Sequence, residues 1–125
     1  MPKIEKFEDI KAWQKSRGLV NLIYDITDDN QFSKDWELKN QIRRSAISVM
    51  SNVAEGFDRG TDKEFVQFLR IATGSCSEVR SQLYIALDRK YITQGKFDEI
   101  YNTATEVVNL INGFIRYLKK NHSQT

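Results

Sequence analysis

The sequence predicts an all-α protein: an antiparallel up-down-up-down four-helix bundle in which residues 1–125 form a single domain. Apolar residues recur at helical spacing in four segments, and the connections between them are short. Six Gly and one Pro are too few for a turn-rich sandwich or barrel. The 40% apolar content is enough to bury one modest core, so we expect no second domain.

We expect the four helices over about 8–27, 34–56, 62–88 and 96–120. The first begins with acidic side chains, which complement the positive end of a helix dipole, and ends in the turn-rich stretch Thr27-Asp28-Asp29-Asn30. The last follows Gly95 and ends with basic side chains at the negative end of the dipole. These are Arg116, Lys119 and Lys120.

The second predicted helix carries two apolar rows and ends at Gly56, since glycine is a natural helix terminator. One row is Leu38, Ile42, Ala46, Val49 and Val53; the other is Ile47, Met50, Ala54 and Phe57. Together the rows cover about half of the helix circumference, which exceeds what a monomeric bundle needs. We therefore expect self-association, with the second row facing another subunit.

The third predicted helix has the strongest periodic pattern in the chain. Thr61 stands at its N-cap with Glu64 three residues later, the spacing of a capping box. A patch of small residues around Gly74 and Ser75 would let a neighbouring helix pack closely, offsetting the roughly 1 kcal/mol that glycine costs in a helix. Both residues join the second row as candidate oligomer contacts.

The residues that catalysis or metal binding would need are missing from the sequence. The one histidine, His122, lies in the C-terminal tail, and Cys76 falls in the middle of an apolar stripe. No zinc, di-iron, Walker or dinucleotide-binding motif occurs. We therefore predict no enzymatic activity, no cofactor and no metal site. A single cysteine and the lack of a signal peptide or an apolar membrane span predict a cytoplasmic protein.

Positive charge is informative only through its position, because 19 Lys and Arg against 17 Asp and Glu give a net charge of just +2. Phosphate binding needs several positive groups, and the planar guanidinium of arginine suits it. The candidate phosphate contacts are Arg43, Arg44, Arg59, Lys63 and Arg70. Acidic residues are interleaved with them, so a network of ion pairs on solvated faces is the competing interpretation.

Several motifs are those of a known family. They are Phe7-Glu8-Asp9-Ile10, Trp13-Gln14-Lys15, Gln41-Ile42-Arg43-Arg44-Ser45-Ala46-Ile47-Ser48-Val49, Asn52-Val53-Ala54-Glu55-Gly56, Arg59, Lys63-Glu64-Phe65, Phe68-Leu69, Ile71-Ala72, Gly74-Ser75 and Glu78. In these the chain closely resembles the four-helix-bundle proteins encoded in intervening sequences of bacterial 23S ribosomal RNA. The resemblance implies a ring-shaped homopentamer, and kinship with the basic accessory protein of diversity-generating retroelements, thought to bind nucleic acid and a reverse transcriptase.

The chain departs from the family pattern in three respects. Phe32-Ser33 stands where the family usually has Phe-Pro before the second helix, Ser16 and Ser45 stand where it commonly has Ala, and the chain is less basic than the retroelement accessory proteins. The leading prediction is an oligomeric protein that binds ribosomal or other structured RNA, or an RNA-associated partner such as a nucleic-acid enzyme. The alternative is a protein-interaction scaffold ring with no direct nucleic-acid role.

Overall fold

The computed structural model describes residues 4–123, which are all-helical, with no strand in that range. A 3-10 turn at Phe7–Asp9 is followed by five helices. These are α1 (Lys11–Thr27), α2 (Asn30–Lys34), α3 (Trp36–Asp58), α4 (Asp62–Asp88) and α5 (Gln94–Ser123). The helix α1 packs on α3 and α5, and α4 packs on the same two helices, so the four long helices surround one core.

The short helix α2 was not predicted, because its residues fall in and just after the expected turn. Its single large apolar side chain, Phe32, is fully buried, and its ring lies 5.1 Å from that of Tyr91. Five residues with one anchor give no periodic signal, which explains the omission. The predicted start of the first helix was also early, since Ile10 is extended (ψ 120°) and α1 begins at Lys11.

The core lies between the facing apolar sides of the four long helices. The first apolar row of α3 is buried along its whole length, as predicted, with Leu38 the most accessible of its members at 7% exposed. Cys76 is completely buried in the apolar stripe of α4. Asp35 caps α3 by accepting from the amide of Leu38 at 3.1 Å, and Thr61 caps α4 by accepting from that of Glu64 at 3.2 Å.

Gly56 does not end α3, which continues for two more residues. It is buried against α4, and a Cβ placed there would lie 2.7 Å from Cβ of Phe68 and 2.9 Å from Cδ1 of Phe65. Glycine is required here because the two helices approach so closely. The left-handed turn after α3 is made instead by Gly60 (φ 92°), a conformation that favours glycine.

Candidate nucleic-acid interface and oligomer surface

Arg43 is bound by its own chain. Its Nη2 forms an ion pair with Oδ1 of Asp28 at 2.8 Å, and its Nε donates to Oγ1 of Thr27 at 2.8 Å. The guanidinium carbon lies 4.2 Å from the ring centre of Tyr24. These contacts fasten α3 to the C-terminal end of α1 and use much of the donor capacity that a phosphate would need. Arg43 therefore serves the fold, and we remove it from the candidate phosphate contacts.

Arg44 and Arg59 differ in their surroundings, although both are exposed. Arg59 forms an ion pair with Glu55 at 2.9 Å, one helical turn away, and its guanidinium lies 4.9 Å from the ring centre of Phe68. An exposed pair of this kind contributes little stability and can exchange its partner for a phosphate. Arg44 is exposed on α3, and no ion-pair partner for it is found among the described side chains.

Lys63 and Arg70 meet in one groove. They lie seven residues apart, two turns of α4, and line a groove of about 420 Å³ between the start of α4 and the end of α5. We call it the α4/α5 groove; its lining residues are Asp62, Lys63, Val66, Gln67, Arg70, Leu118 and Lys119. Three cationic side chains and one carboxylate line this groove, which gives it a net positive charge.

The third cation of the groove, Lys119, was missed as a candidate contact. Sequence reasoning assigned it to the helix dipole, because one chain's periodicity does not reveal which neighbouring helix a side chain will face. The five predicted phosphate contacts thus do not form one surface. Only Lys63 and Arg70 come together, and a residue from α5 completes their group.

The second apolar row of α3 is only partly covered by its own chain. Ile47 is 38% exposed, while Met50, Ala54 and Phe57 are half-buried. The row begins at Ile47, one turn after Arg43, which contacts α1, and it ends at Phe57, whose ring lies 6.0 Å from that of Phe65 on α4. The excess apolar surface is therefore smaller than the sequence suggested, and what remains is concentrated at Ile47.

The small residues of α4 divide into a packed side and an open side. Ser75 is buried, and its Oγ lies 2.9 Å from Oγ of Ser48 on α3. Gly74 is exposed, and a Cβ added there would meet nothing within 4 Å. The prediction that a neighbouring helix packs closely at Gly74 is therefore wrong for the helices of this chain. The close packing between α3 and α4 occurs at Gly56 instead.

Two exposed isoleucines on α4 also escaped the sequence analysis. Ile71 is 53% exposed and Ile85 is 48% exposed, and Gly74 lies one turn beyond Ile71. Their spacing of fourteen residues, four turns, places both on one side of the helix. The sequence contains that spacing, but two isolated apolar positions do not show whether they are exposed.

The chemistry of Cys76 is that of a core side chain. Burial raises the pKa of its thiol to about 12, against a smaller opposing effect from Arg80, so the nucleophilic thiolate is not formed near neutral pH. Among the side chains that the structure describes, no three of His, Cys, Asp or Glu are grouped so as to hold a metal ion. The side chain of His122 lies outside the described part of the structure.

In the part of the chain that the structure describes, every helix is too short or too polar to traverse a bilayer.

Comparisons with known proteins give a family and a fold. Residues 8–113 match the family model described as 23S rRNA-intervening sequence protein. A crystal structure of a protein of unknown function, from the S23 ribosomal protein family of Bacteroides thetaiotaomicron, has a TM-score of 0.76 and 24% identity. The match covers 84% of this chain and 95% of that one, and at this identity it supports the fold alone. No curated protein matches the sequence.

Proposed function

The chain belongs to the 23S rRNA-intervening sequence protein family, and we propose that it is a non-enzymatic, oligomeric, cytoplasmic protein that binds structured RNA through a basic surface. The observation that carries the proposal is the α4/α5 groove, where Lys63 and Arg70 stand together and Lys119 and Asp62 complete the charged part of the lining. Phosphates contribute most of the affinity of RNA-binding proteins, and a cationic groove of this kind is what they require.

We propose that α1, α3, α4 and α5 form the antiparallel up-down-up-down bundle of a single domain. Two pairs of contacts support this. Between α3 and α4, Ser48 contacts Ser75 while Ser45, earlier on α3, donates to Glu78, later on α4. Between α4 and α5, the ring of Phe65 lies 5.3 Å from that of Phe114, and those of the later Tyr84 and the earlier Tyr101 lie 6.1 Å apart. Contacts in opposite sequence order are typical of antiparallel neighbours.

We further propose that copies assemble, as a homopentamer by resemblance to the family, through apolar surface that the chain leaves exposed. Ile47 from the second row of α3, and Ile71 and Ile85 on α4, supply that surface, with the open backbone at Gly74 beside them. Assembly would multiply the α4/α5 groove and so strengthen RNA binding through avidity. Light scattering of Ile71→Asp, which should yield smaller species than the wild type, tests this assembly.

The RNA proposal is tested by gel shift with structured ribosomal RNA at about 50 mM and about 200 mM salt. If Lys63 and Arg70 neutralise two phosphates, affinity should fall roughly 12-fold over that range, because each contact releases condensed counterions. The variant Lys63→Glu/Arg70→Glu should bind weakly at both concentrations. A matched charge reversal on exposed α1 positions, Lys11→Glu/Arg17→Glu, should bind like the wild type. No binding at micromolar protein, or equal loss in both variants, overturns the proposal.

The exposed isoleucines of α4 also favour a second candidate, a scaffold ring that docks another protein, such as a nucleic-acid enzyme, without contacting RNA itself. In that case a partner should remain bound after nuclease treatment, and binding should depend on Ile71 and Ile85 but not on Lys63 and Arg70.

A further inference from the structure

The seam between α4 and α5 continues past the α4/α5 groove to a group of aromatic side chains. Tyr84 is 50% exposed, and its ring centre lies 4.9 Å from that of Phe97 and 6.1 Å from that of Tyr101. We call Tyr84, Phe97 and Tyr101 the aromatic cluster. Phe97 and Tyr101 stack on each other at 5.4 Å, so the ring of Tyr84 rests on a firm support. Half of that side chain nevertheless stays in solvent.

A cationic side chain, Arg80, lies between the groove and the aromatic cluster along α4. The guanidinium of Arg80 lies 5.7 Å from the ring centre of Tyr101, and its Nη2 donates to Oγ of Ser77 at 3.3 Å. Lys63, Arg70, Ser77 and Tyr84 are spaced at seven-residue intervals, so they follow one side of α4 for about 30 Å. The seam therefore offers positive groups along its length and an aromatic surface at one end.

Acidic side chains along this part of both helices face away from the seam. Between Arg70 and Tyr84 the only acid on α4 is Glu78, which accepts from Ser45 of α3. Between Tyr101 and Lys119 the only acid on α5 is Glu106, which is paired with Lys15 of α1 at 2.8 Å. The stretch of the seam between Arg70 and Tyr84 thus carries little negative charge, and carboxylates lie at its ends: Asp62 at one, and Asp88, Asp98 and Glu99 at the other, where Asp98 accepts from Gln94 and Glu99 from Lys96.

We propose that the α4/α5 seam binds an unpaired stretch of RNA, with phosphates on Lys63 and Arg70 and a base stacked on Tyr84. The inference rests on the proposed RNA-binding function and adds the strandedness of the RNA. Bases inside a duplex are stacked on each other, whereas unpaired bases are free to stack on aromatic side chains. An acidic peptide would also meet the cations, but its carboxylates would gain nothing from the exposed aromatic ring further along the seam.

The test measures anisotropy of labelled oligoadenylate of about ten nucleotides, the same oligomer with abasic sites, and an RNA duplex of equal length. The wild type should bind oligoadenylate most tightly. Tyr84→Leu should lower that affinity about fivefold or more, since one base–aromatic stack is worth at least that much, and should leave abasic binding unchanged. Tyr84→Phe, which retains the ring, should bind like the wild type, which also guards against a folding defect in the leucine variant.

A tyrosine on another face provides the control. Tyr117 is 41% exposed and packs against Phe114 at 5.8 Å, beside a groove between α1 and α5, so Tyr117→Leu should bind oligoadenylate normally. The inference is overturned if Tyr84→Leu binds normally, if abasic and intact oligomers bind equally, or if polyglutamate displaces the oligomer as well as RNA does. If in those cases Lys63→Glu/Arg70→Glu still weakens binding of structured RNA, the proposed function stands; if no RNA binds, both fall.

Discussion

The two sides of α4 show how differently one helix can be used. Toward α3 it is closed: Gly56 lets the backbones approach, and Ser48 and Ser75 bridge the helices with a hydroxyl pair 2.9 Å apart. Toward α5 it opens into a groove lined by Lys63, Arg70 and Lys119. Small residues bring helices together and leave no room for a ligand, whereas long cationic side chains leave a groove between them. We therefore expect substitutions on the side of α4 that faces α5 to affect binding, and substitutions on the side that faces α3 to affect stability.

The largest effect should come from the closed side. Gly56→Ala should lower the free energy of unfolding by about 2 kcal/mol, because the new methyl would lie 2.7 Å from Cβ of Phe68. A Cβ atom is bonded directly to the helix backbone, so it cannot move aside without moving α4. Urea denaturation followed by circular dichroism measures this. Gly18→Ala on α1, where nothing lies within 4 Å, is the matched control and should not destabilise. An unaltered midpoint for Gly56→Ala would show that the two helices are not so close.

The free energy of unfolding should fall at alkaline pH because of Cys76, which is buried in the apolar stripe of α4. The pKa of Cys76 is raised from 9.0 to about 12 by burial, so the folded state keeps its proton where the unfolded state loses it. Stability from this group is complete below pH 9 and declines above it, by about 1.4 kcal/mol at pH 10. Cys76→Ala should lose less stability than the wild type between pH 7 and pH 10. Parallel losses in the two proteins would place the thiol in water.

A smaller effect of opposite sign is expected at Gly74, which is exposed on α4. Gly74→Ala should raise the free energy of unfolding by about 0.5–1 kcal/mol, because alanine is the better helix former and the site is open. The urea midpoint at one protein concentration gives the result. Destabilisation, or a smaller species in light scattering, would mean instead that another copy covers this position.

The smallest effect on stability should come from the open side. Lys63→Ala/Arg70→Ala should change the free energy of unfolding by less than about 0.5 kcal/mol, since both side chains are exposed on the groove. Arg43→Ala, by contrast, should cost about 1 kcal/mol, because it removes the link from α3 to Thr27 and Asp28. Equal urea midpoints for the two variants would show that Arg43 stabilises the fold no more than the groove residues do.

The all-helical class and most of the long helices followed from the sequence because they depend on local periodicity. The range of α4 coincides with the predicted 62–88, with Thr61 as its cap. The short helix α2 was missed because a single buried anchor, Phe32, has no period. The prediction that Gly56 ends the helix was wrong, because the sequence alone does not distinguish a glycine that ends a helix from one that lets two helices pack closely.

The candidate site was less predictable than the fold because it depends on which helices become neighbours. Arg43 and Arg70 are equally basic in the sequence. In the fold, however, Arg43 forms an ion pair with Asp28 at the end of α1, whereas Arg70 and Lys119 line the same groove. Nothing in the spacing of either residue distinguishes these outcomes. The sequence shows which residues carry charge, and only the packing shows whether that charge has already been neutralised.

The most direct test of the account is the slope of log affinity against log salt for structured RNA, compared between the wild type and Lys63→Ala/Arg70→Ala. Loss of two phosphate contacts should reduce the magnitude of that slope by about 1.8 for duplex RNA or about 1.4 for a single strand. Arg43→Ala should leave the slope as it is. A slope that Lys63→Ala/Arg70→Ala does not change, or that Arg43→Ala reduces instead, would contradict the assignment of the α4/α5 groove to RNA.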